Sequence, residues 1–567
     1  MYRDGFIPRV TWLLMATVFV VSFLAATDSA SAQRRTRNRA AADLGPQVKE
    51  INKWIRTAWS DYEIKPSPPA TDGEWCRRLF LDVVGRTPTV KELDGFVKDS
   101  SPDKRRDLVR KLLYDDEYTE EYARNWTTIW TNILIGRSGG TERNTMISRP
   151  GMQKYLRDTF ARNKPYDRMV HELVTATGST APGADDFNGA ANFLVMKVNE
   201  EKATLATAAT AKIFLGLQVQ CTQCHDHPFN EWKQSKFWQM NAFFRQVRAQ
   251  RIGMRGSNTG RLVDADFRGE DGQGANEASI YYELRNAELE VAFPTFVDGT
   301  EASSRSGYVS DVNRRSELAK MMLDSEFVEK TVANRYWAHF LGYGFTKPID
   351  DLGPHNPPSH PELLEYLAVQ VRDSSFNLKE LITWITLSEP YSLSSKMNET
   401  NEIDDPLLGE LPKFSHFYLR HMRAEELYES LVAATRAQQT SGSYEAQERD
   451  KARWMAQFVQ AFGTDEGEET TTFNGTVPQA LMMFNGDLIK KATAKSKGGL
   501  LWQVANSDMD NRDRINYLFR AAMARNATDN EYETALQLLV YNEGDGMAAV
   551  QDIWWAVLNS NEFIINH

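Results

Sequence analysis

Cysteine is almost missing from this chain, with three residues in 567. That scarcity excludes a small fold stapled by several disulfides, and it makes the position of each cysteine informative. An excess of positive charge is missing too. The formal net charge is −11, which argues against non-specific binding to nucleic acid or to an anionic membrane surface. No strongly acidic tail is present, and no apolar run of membrane-spanning length follows the first 32 residues. No nucleophile elbow, phosphate loop, H-E-x-x-H motif or dinucleotide fingerprint stands out, so the common hydrolase, nucleotide and zincin chemistries have no signature here.

What is present describes an exported globular protein. Hydrophobic content of 41% and charged content of 25% are ordinary for a soluble chain, and 14 Trp with 28 Phe favour large buried aromatic clusters. Arg3 and Arg9 form a basic n-region, Trp12 to Ala26 is an apolar run of signal-peptide length, and Ala30-Ser31-Ala32 is an A-x-A cleavage site. No cysteine stands at that site, which argues against a lipid anchor. The mature protein is expected in the periplasm or outside the cell, with no integral membrane segment after cleavage.

The expected fold class is mainly α, with two helical domains and a small β-hairpin near their junction. Val48, Ile51, Trp54 and Ile55 repeat at helical spacing, and so do Tyr122, Trp126, Ile129 and Trp130. Residues 1–32 read as signal peptide, 33–45 as a basic linker, 46–250 as the first domain, 251–310 as linker and hairpin, and 311–567 as the C-terminal domain. Gly178 to Asn188, Gln250 to Ala278 and Ala437 to Glu448 read as loops. The hairpin is predicted from Ile280-Tyr281-Tyr282-Glu283-Leu284 and Leu289-Glu290-Val291-Ala292-Phe293, around a turn at Arg285-Asn286-Ala287. An internal repeat aligns Leu79 through Arg86, Thr89 and Glu92 with Leu518 through Arg525, Thr528 and Glu531. Thr three residues before Glu is a capping-box spacing in both copies. Each copy is also expected to reach an acidic-aromatic pair, Glu117-Tyr118 and Glu562-Phe563. A helix–turn–helix unit reused for packing is the preferred reading over a duplicated binding module.

Cys221-Thr222-Gln223-Cys224-His225 carries the chemistry. In a C-x-x-C-H motif two sulfurs can bond the vinyl groups of a haem while the histidine ligates its iron. An Ala-rich helical run from Leu205 to Leu217 leads into it and is expected to end near His227, because Pro228 disfavours helical geometry there. Phe237, Met240, Phe244 and Val247 form a stripe expected to wall the pocket. A sixth iron ligand is open among Met240, Met196, Met254 and His171. A second reading has Cys221, Cys224, His225 and His227 binding a zinc or iron ion directly, with Asp226 as an orienting partner. A third is a C-x-x-C disulfide, although no thioredoxin-like βαβ pattern surrounds it. Cys76, on a helical pattern, reads as a lone buried thiol. A further cluster, Asp350, Asp351, His355 and His360 with Arg335, is a candidate metal or anion site. The structural alternative is preferred there, with Ser359 as N-cap ahead of Pro361.

Several segments together resemble the planctomycete-type secreted proteins that pair a cytochrome-like domain of unknown function with a second domain of unknown function. For the first domain they are Arg78 through Thr89, Lys164-Pro165-Tyr166-Asp167, and Leu215 through Phe229. For the second they are Asn334 through His339, Asn356-Pro357-Pro358-Ser359-His360-Pro361-Glu362-Leu363, and Asn559 through Phe563. The resemblance covers nearly all of the mature chain. It implies a cytochrome-like domain without fixing an activity. Many such proteins carry an additional N-terminal cytochrome c-like segment, which is not seen ahead of the first helical domain here, and that argues against a multi-haem electron wire. The expectation is an exported protein with one haem c on Cys221, Cys224 and His225, serving electron transfer or haem-assisted redox chemistry with a redox partner protein. The alternative is a zinc or iron site in a hydrolase or cell-surface binding protein.

N-terminal sequencing of the protein from its native envelope is expected to begin at Gln33; a start at Met1 would instead indicate an uncleaved anchor.

Overall fold

The computed structural model describes residues 45–435 and 487–567, apart from 200, 253–258, 271, 273, 496, 498 and 543–544, together with isolated positions between 443 and 451. The export segment, nearly all of the basic linker, Met254 and nearly all of the polar loop 437–448 lie outside the described residues. Helices dominate, as the periodicities require. Asp116–Ile135 is representative: Asp115 caps it by accepting the Glu117 N–H, Gly136 closes it, and Tyr118, Tyr122, Trp126 and Trp130 are buried along it. Among the described residues no helix is long and apolar enough to cross a membrane.

The predicted hairpin forms as Ile280–Glu283 against Leu289–Ala292, antiparallel, with Ile280 opposite Ala292 and Tyr282 opposite Glu290. Two other sheets were not anticipated. Val247–Arg251 pairs with Gly260–Asp264, which also takes Gly178–Ser179, and Arg420–His421 pairs with Ile565–Asn566. The first of these lies partly in the segment read as a loop, and Val247 starts a strand instead of continuing a helical stripe. Arg248, Ala249, Gln250 and Arg251 carry no alternation of apolar and polar side chains, so only pairing with a partner whose Leu262 is buried makes them a strand.

Two apolar cores hold the fold. The larger gathers residues from Ile51 to Tyr418, with Ala524 joining it from near the C-terminus, and includes helices on both sides of the hairpin region. Its seam is Trp126 stacked on Tyr336 at 4.7 Å and 4°, which joins Asp116–Ile135 to Phe327–Leu341. The smaller gathers residues from Met422 to Phe563, and Leu81 joins it from the first half of the chain. The helix Asp72–Val84 lies between the cores. Every residue from Trp75 to Val84 is buried, including Arg77, Arg78 and Asp82.

Those three charges have defined partners. Arg77 donates to the carbonyls of Phe563 (2.7 Å) and Ile565 (2.8 Å). Arg78 donates to the Tyr391 carbonyl and lies 3.5 Å from the centre of the Phe417 ring. The Asp82 carboxylate accepts from Tyr391 Oη (2.7 Å) and Asn566 Nδ2 (2.8 Å) and pairs with Arg420. Burial pushes its carboxyl up to about 6, against the pull of Arg420 and Tyr391.

The internal repeat is a duplicated helix–turn–helix. Thr89 and Thr528 each cap a second helix in a full capping box with Glu92 and Glu531. Arg86 forks onto Glu92 at 2.9 and 3.0 Å, and Arg525 onto Glu531 at 2.8 Å. Arg86 sits 5.3 Å over Phe80, and Arg525 sits 5.5 Å over Phe519. The distal acids correct the predicted alignment. Glu562 binds Arg525 at 2.5 Å, but the acid that binds Arg86 is Glu121 at 2.9 Å, not Glu117. Glu117 lies about one helical turn earlier and pairs with Lys111.

Replacing Asp82 by Ala leaves the Arg420 guanidinium buried without its carboxylate, and is expected to cost about 3–5 kcal/mol in urea unfolding of the full chain. Asp82→Asn, which can still accept from Tyr391, should cost less.

Candidate functional site

The chain reaches Cys221 by a route that differs from the expected single helix. Thr204–Thr210 is α-helical, Ala211–Leu215 widens into a π-helical turn, and Gly216 ends it at φ +66°. A side chain at 216 would collide with Leu352 and Thr331 at 2.8 Å, so glycine is required there for packing as well as for backbone angle. The motif then occupies its own turn, Gln220–Gln223, and does not continue the helix toward His227. Thr222 is buried and turned inward, with its hydroxyl donating to the Val219 carbonyl at 2.6 Å. Cys221 and Cys224 are exposed free thiols.

The turn is braced from behind. Trp238 Nε1 and Gln234 Nε2 donate to the Gln223 carbonyl at 3.1 and 3.3 Å, and Gln234 Nε2 also donates to the Glu283 carbonyl at 2.9 Å. Tyr282 of the hairpin stacks on Trp238 at 5.9 Å. Asp226 accepts from the Gln234 backbone N–H at 2.9 Å and from Lys233 at 3.0 Å, and these donors hold its carboxyl below the ordinary value. Asp226 therefore shapes the loop, and its carboxylate does not serve as the histidine partner expected in the metal reading.

His225 is set up by its own backbone. Its Nδ1 lies 2.6 Å from the Asp226 carbonyl, which can only accept, so Nδ1 carries a proton and, in the neutral ring, Nε2 is the nitrogen with the lone pair. An imidazole fixed in that way is suited to bind a metal through Nε2. His227 differs, since its Nδ1 accepts the Phe229 N–H at 3.2 Å. Two exposed thiols on one turn and a neighbouring imidazole with an unengaged Nε2 fit the donor set of an attached haem. Among the described residues no group of three or more His, Cys, Asp or Glu side chains is arranged to hold a bare ion.

Phe237, Met240, Phe244 and Val247 are all buried in the larger core, so the stripe packs the interior. Among the candidate sixth ligands, Met240 is in that core, the Met196 sulfur accepts the Met146 N–H at 3.4 Å, and His171 is exposed on Tyr166–Thr175 beside Thr175. Cys76 is fully buried, and burial raises its thiol pKa, which keeps it protonated.

The second cluster does not converge. Asp350 turns to Lys212 (3.3 Å) and Gln218 (2.7 Å). Asp351 accepts from His355 Nε2 at 3.0 Å. Arg335 lies 3.5 Å from the Ile213 carbonyl. His360 sits among Phe345 and Phe414, and it occupies the N-cap position of Pro361–Asp373 that Ser359 was expected to fill; the Ser359 hydroxyl bonds to the His360 ring instead. The structure also joins the two clusters read separately in sequence. The Leu352 N–H donates to the Gly216 carbonyl at 2.6 Å, and the His355 ring lies 6.2 Å from that of His227. Their separation of more than a hundred residues hid this neighbourhood from any reading of spacing.

Burial lowers the His360 pKa to about 4. The ring is neutral in the folded state but titrates near 6.5 when unfolded, so its contribution is complete above pH 6.5 and is lost as pH falls toward 4. Stability against urea should fall as pH drops through that window, and His360→Asn should reduce the slope by up to about 1.4 kcal/mol per pH unit.

Two family models match the chain. Residues 50–249 match PSCyt2, a protein of unknown function (DUF1549), and residues 314–539 match PSD1, a protein of unknown function (DUF1553). No curated protein and no solved structure matches it. The cysteine motif lies in the first matched region and the Asp350–Asn356 loop in the second, and the chain belongs to the proteins that pair these two domains of unknown function.

Proposed function

We propose that this is an exported protein that carries a single c-type haem on Cys221, Cys224 and His225 and works in electron transfer or haem-assisted redox chemistry. The observation that carries this reading is the state of His225. Its Nδ1 proton is committed to the Asp226 carbonyl, and its Nε2 stands ready beside two exposed thiols. When bound, the haem would supply one-electron oxidation and reduction. Cys221 and Cys224 would hold the haem through thioether bonds, each thiol adding across one vinyl double bond with its proton going to the other vinyl carbon, so that no external oxidant would be consumed. Thr222, Gln234 and Trp238 hold the turn so that both sulfurs face outward.

Export is part of the same proposal, because covalent haem attachment suits an oxidising compartment. So is a redox partner protein, which would meet the exposed side of the motif.

The test is retention after denaturation. Full-length protein made in a host with haem-maturation machinery should keep its haem in denaturing gels, since both sulfurs are covalently bonded to it. Cys221→Ala/Cys224→Ala should lose it, and His227→Ala should keep it. A denatured wild-type protein without haem, whose native form releases zinc or iron on His227→Ala, would establish the rival metal-site reading instead.

A further inference from the structure

The Asp350–Asn356 loop of the second domain grips the C-x-x-C-H turn on both sides. Ahead of the motif it holds Lys212, Gly216 and Gln218, through Asp350 and the Leu352 N–H. Beyond the motif it places the His355 ring 6.2 Å from the His227 ring, at 39°. The two carboxylates of the loop differ in how they are balanced. Asp350 is matched by the Lys212 ammonium. Among the described residues Asp351 forms its ion-pair contact with an imidazole, His355, and with no lysine or arginine.

His355 is held by a hydrogen bond at one nitrogen and by packing at the other. The Asp351 carboxylate can only accept, so Nε2 carries the proton. The other nitrogen, Nδ1, is buried without a partner and pressed against Gly353, where a Cβ would lie 2.8 Å away. Asn356 ties the loop by donating from Nδ2 to the Asp351 carbonyl at 2.8 Å. The Asp351 carboxylate orients the His355 imidazole, and that ring neighbours His227, two residues from His225.

We infer that Asp351 and His355 are positioning residues through which the second domain sets the oxidation–reduction balance of the C-x-x-C-H site; this rests on the haem reading given above. The fixed negative charge of Asp351 favours the oxidised state, which carries one more positive charge than the reduced one. His355 keeps that charge in place and supports His227 and the turn around it.

The experiment is a spectroelectrochemical titration of the full-length, haem-loaded protein and of Asp351→Asn, Asp351→Glu and His355→Asn, with circular dichroism melts to confirm folding. Asp351→Asn keeps the size of the side chain and removes its charge. It should raise the reduced-to-oxidised ratio at fixed potential by about threefold to tenfold, tenfold being about 59 mV for one electron. Asp351→Glu should restore most of the wild-type ratio. His355→Asn should shift the ratio as well, and the double variant should shift it no further than the larger single change, because the two act as a unit. A folded, haem-loaded Asp351→Asn protein with less than a twofold change overturns the inference and leaves the haem reading intact. Wild-type protein without covalent haem overturns both.

Discussion

Three charged side chains buried on one helix hold the two cores together. Arg77, Arg78 and Asp82 sit inside Asp72–Val84, where water cannot solvate them, and burying such groups costs several kcal/mol each unless they are paired or hydrogen-bonded. Their partners come from distant parts of the chain. Arg77 reaches the carbonyls of Phe563 and Ile565, Arg78 that of Tyr391, and Asp82 gathers Tyr391, Arg420 and Asn566. The Asp82 backbone carbonyl also lies 3.1 Å from His339 Nε2 and takes Asn125 Nδ2 at 3.3 Å. One residue thereby ties the central helix to five others drawn from both matched regions and the residues after them. Charge buried in this way demands particular partners, which apolar packing alone does not.

The same principle of shared construction governs the candidate site. The first matched region supplies the sulfurs and His225, and the second supplies the loop that clamps the approach at Gly216 and the far side at His227. A glycine at 216 lets Leu352 approach closely, and the π-helical turn before it sets the direction in which the chain leaves. The Trp126–Tyr336 stack joins the regions on the interior side, so the clamp at the motif rests on a common core. The duplicated Arg–Glu module has a different purpose. Its arginines are saturated by two acids each and lie over a phenylalanine, which fixes the angle between paired helices and leaves no donor for a ligand.

The sequence by itself determined the helical class, the hairpin at 280–292, the capping boxes at Thr89 and Thr528 and the burial of Cys76. Each of these depends on residues within a few positions of one another, where periodicity, caps and short spacing leave a readable mark. Only the tertiary structure decided that Val247–Arg251 is a strand, that Glu121 and not Glu117 completes the Arg86 fork, and that His360 takes the cap position expected of Ser359. It also decided that His355, held by Asp351, stands beside His227. These features rest on contacts between segments far apart in the chain, or on competition between neighbouring side chains for one partner, and neither is encoded in local spacing.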